Sequence, residues 1–140
     1  MKRILSLVAA AALVTGAGAL TFAADKLVAG GYCPVAYAKM GQAVKGDPKI
    51  KSTVQGREYH FANAGAKKMF DANPAMFPVA FDGYCATGVA MGKKIESNPE
   101  IFVVRDGTTY LFSNAEAKAA FEKDPAMTIA KANEKWSTIQ

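Results

Sequence analysis

The chain has 140 residues, of which 51% are hydrophobic and 21% are charged. This composition supplies a packed core and excludes an intrinsically disordered chain or a collagen-like fibre. The formal net charge is +5, but no run of Lys and Arg exceeds two residues, so the sequence lacks the basic stripe of a nucleic-acid-binding protein. Two cysteines are too few for a disulfide-dense miniprotein or a four-cysteine zinc site.

The N-terminal segment has the pattern of a cleaved export signal. Two basic residues precede an uncharged stretch from Ile4 to Leu20, and small residues then lead to Ala23. Such a segment is removed from the mature protein, and it is short for a membrane span of about 20 residues. We therefore expect a signal peptide at 1–24, a periplasmic or secreted location, and no membrane span after cleavage.

The remainder of the chain repeats itself. The segment at 54–76 recurs at 105–127, with Gly, Tyr, Phe, Asn and Pro in matching places at an offset of 51 residues. Upstream, Gly-Tyr-Cys at 31–33 recurs at 83–85. Self-similarity at a fixed spacing is typical of repeated supersecondary units. The sequence therefore predicts one structural unit that occurs twice.

Each unit is predicted to contain a loop after Gly-Tyr-Cys and then a β-hairpin. Hairpins are expected at about 50–61 and 101–112, where hydrophobic residues alternate on both sides of a turn dipeptide. Asp-Gly at 106–107 is a strong tight-turn signal, and Gln-Gly at 55–56 is a weaker one.

A helix is predicted after each hairpin. Asn63 and Asn114 are suited to be N-caps, and apolar residues follow them at the i, i+3, i+4 spacing of a buried helical stripe. An X-Pro pair is expected to end each helix. A last helix is predicted from Pro125 to about Trp136.

The repeat also predicts how the units associate. A hairpin with one short helix buries little surface alone, whereas two copies packed together form a core. We therefore predict a single compact α+β domain at 25–140, in which internally duplicated hairpin-and-helix units pack with pseudo-two-fold symmetry. Half one spans about 30–82 and half two about 83–136.

Three segments resemble the YHS domain family. They are Gly-Gly-Tyr-Cys-Pro-Val-Ala-Tyr at 30–37, Gln-Gly-Arg-Glu-Tyr-His-Phe at 55–61 and Gly-Tyr-Cys-Ala-Thr-Gly-Val-Ala at 83–90. The chain looks most like exported, stand-alone members, whose opening motif is Gly-Tyr-Asp-Pro-Val-Ala-Tyr-Phe. The resemblance implies a small α+β module that associates with metals, copper and other soft metals in particular.

The sequence departs from the family pattern at three places. Phe61 stands where the name-giving Tyr-His-Ser triplet has its Ser, and the Cys-Ser-x-x-Cys pattern of the metal-binding branch is absent at 62–66. Cys33 replaces the Asp of the exported motif, which puts a thiol where those members have a carboxylate.

Cys33 and Cys85 occupy matching positions of the repeat, and pseudo-two-fold symmetry would bring such positions together. Thiolates are soft ligands that select Cu(I) over hard ions. His60, the one imidazole of the chain, is the third predicted ligand, and Met91 is a candidate axial ligand. With the family resemblance, these residues predict a copper site that serves metal handling, such as buffering, delivery or sensing.

Two alternatives remain open. A Cys33–Cys85 disulfide would stabilise the fold by roughly 4 kcal/mol, and export favours that bond. The protein would then be a disulfide-stabilised binding module for another periplasmic protein or a small ligand. Without the family resemblance, the disulfide would be preferred over the metal site. A thiol-dependent redox enzyme is the third reading, but no orienting group or oxyanion motif accompanies the Cys and His residues, so the sequence leans against an enzyme.

Other soft or titratable side chains are predicted to be structural. Met69, Met76 and Met127 fall at helix or helix-end positions, where methionine more often fills a core than binds a ligand. A single His in a strand is commonly a hydrogen-bonded structural residue, which is the alternative for His60.

Overall fold

The computed structural model describes residues 26–140, and the predicted signal peptide at 1–24 lies outside that part of the chain. Within it the chain forms a mixed α+β fold, as the sequence predicts, built from short strands and mostly short helices. No helix of the described residues is long and apolar enough to cross a membrane.

Residues 26–140 contain five strands and five α-helices. The strands are β1 (Lys26–Leu27), β2 (Asp47–Val54), β3 (Arg57–Phe61), β4 (Asn98–Arg105) and β5 (Thr108–Phe112). The α-helices are α1 (Pro34–Met40), α2 (Ala64–Ala72), α3 (Ala86–Ala90), α4 (Ala115–Lys123) and α5 (Pro125–Ile139). Short 3-10 segments lie at Val28–Gly31, Pro74–Met76 and Ala80–Gly83.

The strands form two small sheets in this part of the chain. In the first sheet β3 is central, with β1 parallel and β2 antiparallel to it. In the second, β4 and β5 form an antiparallel pair. Isolated parallel bridges join Val79 to Thr109 and Cys85 to Leu111, so the chain around the second Gly-Tyr-Cys runs beside β5.

Both predicted hairpins are present, and their first strands begin at Asp47 and Asn98, somewhat earlier than predicted. The turn residues at 55–56 and 106–107 have φ between 52° and 80°. Positive φ at both central residues is the requirement of a two-residue type I′ turn, which matches the twist of the strands. The additional residues of each first strand lie beyond a register shift, where the alternation that predicts a strand is interrupted.

The helices α2 and α4 begin at the predicted N-caps. The side chain of Asn63 accepts a hydrogen bond from the N–H of Ala66 at 2.8 Å, and that of Asn114 accepts one from Ala117 at 2.8 Å. Each bond satisfies an N–H group that the first helical turn leaves without a partner. Both helices end just before an X-Pro pair, as predicted.

Three helical features differ from the prediction. The segments after Gly-Tyr-Cys, predicted as loops, form α1 and α3. These helices are too short for a periodic pattern, and burial stabilises them: most of α1 is buried, and α3 packs along α5. The last helix continues past Trp136 to Ile139, because neither Gly nor Pro follows to end it.

The buried apolar side chains of the described residues form three clusters. The first-half cluster comprises Cys33, Val35, Ala36, Phe61, Ala66, Phe70 and Phe77. The second-half cluster comprises Phe81, Cys85, Ala86, Val89, Tyr110, Phe112, Phe121 and Ala132. The central cluster comprises Val28, Ala29, Tyr37 and Leu111. Because Leu111 comes from β5 and the other three precede β2, the central cluster joins the two parts of the chain.

Candidate functional site

Both cysteines lie at the N-terminal ends of short helices. Cys33 precedes α1 and Cys85 precedes α3. Their backbone N–H groups donate to the carbonyl oxygens of Val44 at 2.8 Å and of Ile95 at 2.9 Å. Cys33 is 0% exposed and Cys85 is 1% exposed, so the fold shields both from solvent.

The two thiols belong to different apolar clusters. Cys33 packs in the first-half cluster with Phe61, and Cys85 packs in the second-half cluster with Phe112. Both are free thiols in the structure. Buried structural cysteines are chemically inert compared with exposed thiolates beside cations. This geometry gives each cysteine a packing role in its own cluster.

His60 is held by a carboxylate of its own strand. Glu58 and His60 are two residues apart on β3 and therefore share a face of it. The Oε2 of Glu58 lies 2.6 Å from Nε2 of His60, and the Nζ of Lys51 lies 3.8 Å from Oε1 of Glu58. The hydrogen bond with His60, helped by the charge of Lys51, lowers the pKa of Glu58 against the opposing effect of burial.

The backbone approaches His60 closely at a glycine of the Gly-Tyr-Cys motif. A Cβ at Gly31 would lie 2.9 Å from the Nδ1 of His60, which is closer than a side chain tolerates. Gly31 also has a φ of 89°, in the left-handed region that favours glycine. The motif glycine therefore lets the chain turn tightly and leaves room for the imidazole.

The three predicted metal ligands are not assembled into one centre. Cys33 and Cys85 lie in separate clusters, and His60 is paired with Glu58. Over residues 26–140 no group of three or more His, Cys, Asp and Glu side chains is placed to hold a metal ion. This arrangement does not by itself form a Cu(I) site, and copper binding stays a prediction from the sequence.

The prediction that three methionines fill the core is wrong. The exposed fractions are 44%, 55% and 54% for Met69, Met76 and Met127. The buried residues of α2 are Ala66 and Phe70, so Met69 lies beside the buried stripe and not in it. Met91, the candidate axial ligand, is 62% exposed.

A groove of about 540 Å³ opens beside the first hairpin, between residues 54–59 and residues 70–79. We call it the aromatic groove. Its floor contains Phe70 and Phe77, which are buried, and the ring centroid of Tyr59 lies 4.7 Å from that of Phe70. The volume falls in the range of small-molecule sites, which are mostly apolar with a few polar groups.

The polar side chains that line the aromatic groove are those of Gln55, Arg57, Tyr59 and Asn73. The Nε of Arg57 donates to the carboxylate of Asp82, and its Nη1 lies 3.4 Å from the carbonyl oxygen of Gln55. These contacts hold the guanidinium in place and leave its Nη2 donors for a ligand. Burial raises the pKa of Tyr59 against the smaller opposing effect of Arg57, so its hydroxyl remains a donor at neutral pH.

The matching place in the second hairpin is closed. Tyr110, which matches Tyr59 in the repeat, is 8% exposed, whereas Tyr59 is half-buried. The ring of Phe81 lies 6.3 Å from that of Tyr110 and 5.7 Å from that of Trp136 on α5. Tyr110 is therefore packed among Phe81 and the other rings of the second-half cluster, whereas Tyr59 lines the aromatic groove.

Arg57 and Tyr59 lie in the YHS-like segment at 55–61, but only His60 is predicted there as a functional residue, and Phe77 is not predicted as one. A signal that could have found two of them is a difference at matching positions of the repeat, because Arg57 matches Thr108 and Phe77 matches Thr128.

No family model, curated protein or solved structure matches the chain. What the molecule binds is therefore judged from the chemistry of its own side chains, among them those that line the aromatic groove.

Proposed function

We propose that this protein is an exported binding module of the YHS type that holds a small organic ligand in the aromatic groove. The observation that carries the proposal is the open, aromatic-floored groove of about 540 Å³, with a guanidinium and a phenol hydroxyl among its lining groups. Recognition of small molecules typically combines such an apolar floor with a few placed polar groups.

The family assignment and the duplication belong to the same proposal. The three YHS-like segments support the family, and the N-terminal pattern at 1–24 supports export. Matching backbone conformations support the duplication: Ala29 and Phe81 both have φ of 55°, and Gly31 and Gly83 have φ of 89° and 86°. Non-glycine residues seldom adopt positive φ, so its recurrence at the same repeat position favours a common origin.

The groove is suited to binding more than to catalysis. Its lining contains no Ser, Cys, His, Asp or Glu, so no nucleophile lies beside a general base there. Arg57 and Tyr59 can donate hydrogen bonds, and the half-buried ring of Tyr59 can contact a flat apolar surface. The ligand class that fits is a compact ring that carries a carboxylate or another acceptor.

Benzoate is the probe for this proposal, titrated into the ¹⁵N-labelled mature protein and followed by amide chemical shifts. We expect saturable shifts at 54–59 and 73–79. Tyr59→Phe should weaken binding about threefold to tenfold, the equivalent of one hydrogen bond of about 0.5–1.5 kcal/mol. Tyr110→Phe is the matched control, since it removes the same hydroxyl from the closed second half, and it should leave the affinity unchanged.

Either of two results would contradict the proposal. One is the absence of saturable shifts at the groove, and the other is an equal loss of affinity in Tyr59→Phe and Tyr110→Phe. Benzylamine, which has the same ring and a positive charge, serves as a ligand control and should bind more weakly beside Arg57.

Soft-metal binding is a separate proposal that the sequence motivates, and one structural observation favours it. A carboxylate that fixes a His ring, as Glu58 fixes His60, is the usual outer-shell arrangement of metal-binding histidines. Competition of the reduced protein with a Cu(I) chelator tests it, with Cys85→Ser checked for folding by circular dichroism. Equal competition by wild type and a folded Cys85→Ser would exclude the two-thiol site, whereas one Cu(I) per wild-type chain would support it.

A further inference from the structure

The five methionines of the described residues are all on the surface. Their exposed fractions are 60%, 44%, 55%, 62% and 54% for Met40, Met69, Met76, Met91 and Met127. Methionine is among the residue types most often buried. None of the five is a buried member of the three apolar clusters. Packing in the core therefore does not explain why these positions carry thioethers.

Four of these methionines recur at matching places. Met40 and Met91 are 51 residues apart, and so are Met76 and Met127. Met40 is the last residue of α1 and Met91 directly follows α3, while Met76 ends a 3-10 segment and Met127 lies in the first turn of α5. Matching methionines thus lie in different secondary-structure elements and are exposed in both. What they share is access to solvent.

The chain separates its two kinds of sulfur by burial. The thioethers are about half exposed, whereas Cys33 and Cys85 are at most 1% exposed. Oxidation of sulfur side chains follows exposure as well as intrinsic reactivity. A dissolved oxidant therefore has access to the methionine sulfurs and not to the buried cysteine thiols.

We propose that the exposed methionines form an oxidation surface, on which hydrogen peroxide is consumed while the fold and the buried thiols stay intact. A lone pair of the thioether sulfur attacks one peroxide oxygen, the S–O bond forms, and the O–O bond breaks. The sulfur is oxidised to a sulfoxide, and the displaced hydroxide takes the proton of the transferred oxygen and leaves as water. Each methionine thus removes one equivalent of peroxide.

The fold tolerates this change because of where the side chains lie. A sulfoxide is polar, and in a core it would disrupt apolar packing. At half-exposed positions outside the clusters, water solvates the new oxygen. The reaction is independent of the aromatic groove, since none of the five methionines lines it.

The test compares oxidation rates in the folded protein and in the same protein unfolded in urea, site by site, by peptide mapping after hydrogen peroxide treatment. We expect each of the five sites to react in the folded protein within about threefold of its unfolded rate, as exposure controls access. Alkylation after unfolding should still count two free thiols, and the Tm of the oxidised protein should be unchanged. The control replaces all five methionines with Leu and should lose the peroxide consumption without losing stability.

Three results would overturn the proposal. One is a folded-state rate at least about tenfold below the unfolded rate at most of the five sites, which would mean that the surface is covered. Another is loss of the cysteine thiols before the methionines. The third is a fall in Tm or in near-ultraviolet circular dichroism on oxidation, which would mean that the thioethers support the fold.

Discussion

Single residues at matching repeat positions decide much of the difference between the two parts of the chain. Ala29 packs in the central cluster, whereas Phe81, at the matching position, packs its ring against Tyr110 in the second-half cluster. His60 and Leu111 form the second such pair. His60 forms a hydrogen bond with Glu58, whereas Leu111 is fully buried in the central cluster.

The hydrogen bond between Glu58 and His60 predicts a pH-dependent contribution to stability. The folded-state pKa of Glu58 is below its ordinary value of about 4.3, so its contribution is complete above that value and is lost as the pH falls through the folded pKa. Glu58→Gln should lower the free energy of unfolding by about 1 kcal/mol at pH 7. The difference from wild type should shrink below about pH 4, as urea unfolding at several pH values would measure.

The control for this prediction is Glu134→Gln, on the exposed face of α5. It should change stability little at any pH. A difference between Glu58→Gln and wild type that stayed constant from pH 7 to about pH 3 would show that the charge of Glu58 contributes nothing.

At the scale of elements, the two nine-residue helices depend on their caps more than on intrinsic propensity. Helices of this length are marginal alone in water, and each of these buries only one stripe. The cap geometry is closely similar in the two, with φ and ψ of −160° and 173° at Asn63 and −160° and 176° at Asn114. The elements that follow the two helices differ: α5 follows α4, and a 3-10 segment follows α2.

The caps give a matched pair of variants. Asn63→Ala and Asn114→Ala should each lower the free energy of unfolding by about 1 kcal/mol, because each leaves one first-turn N–H without its partner. Thermal unfolding followed by circular dichroism would measure both. The double variant should be additive, since the helices share no cap contact. A loss in Asn63→Ala but not in Asn114→Ala would show that α5 and its neighbours hold α4 without its cap.

At the scale of the whole molecule, the central cluster couples the two parts of the chain. Leu111 of β5 packs with Val28, Ala29 and Tyr37, and the hydroxyl of Tyr37 donates to the carbonyl oxygen of Pro99 at 2.6 Å. The ring of Tyr37 also lies edge-on to that of Phe102, with centroids 4.9 Å apart. These contacts favour a single cooperative unit over two independent ones.

Removing the centre of that cluster should destabilise both parts together. Leu111→Ala should lower the free energy of unfolding by about 3 kcal/mol, whereas Leu27→Ala, at a 37% exposed leucine, should cost much less. Urea unfolding would be followed by Trp136 fluorescence for half two and by amide signals of 57–61 for half one. The two probes should give one shared midpoint, and two separate midpoints would contradict the coupling.

Local patterns alone determined the α+β class, the tight turns of the two hairpins, the Asn caps and the limits of α2 and α4. Their causes lie within a few residues: positive φ in a two-residue loop, a side-chain oxygen three residues before an N–H, and an X-Pro pair. Tertiary structure alone decided that α1 and α3 form, that Met69 is exposed and that Tyr110 is more buried than Tyr59. The same contacts also placed Cys33 and Cys85 in separate cores, because which side chains share a cluster depends on the packing of distant segments, and spacing along the chain does not carry that information.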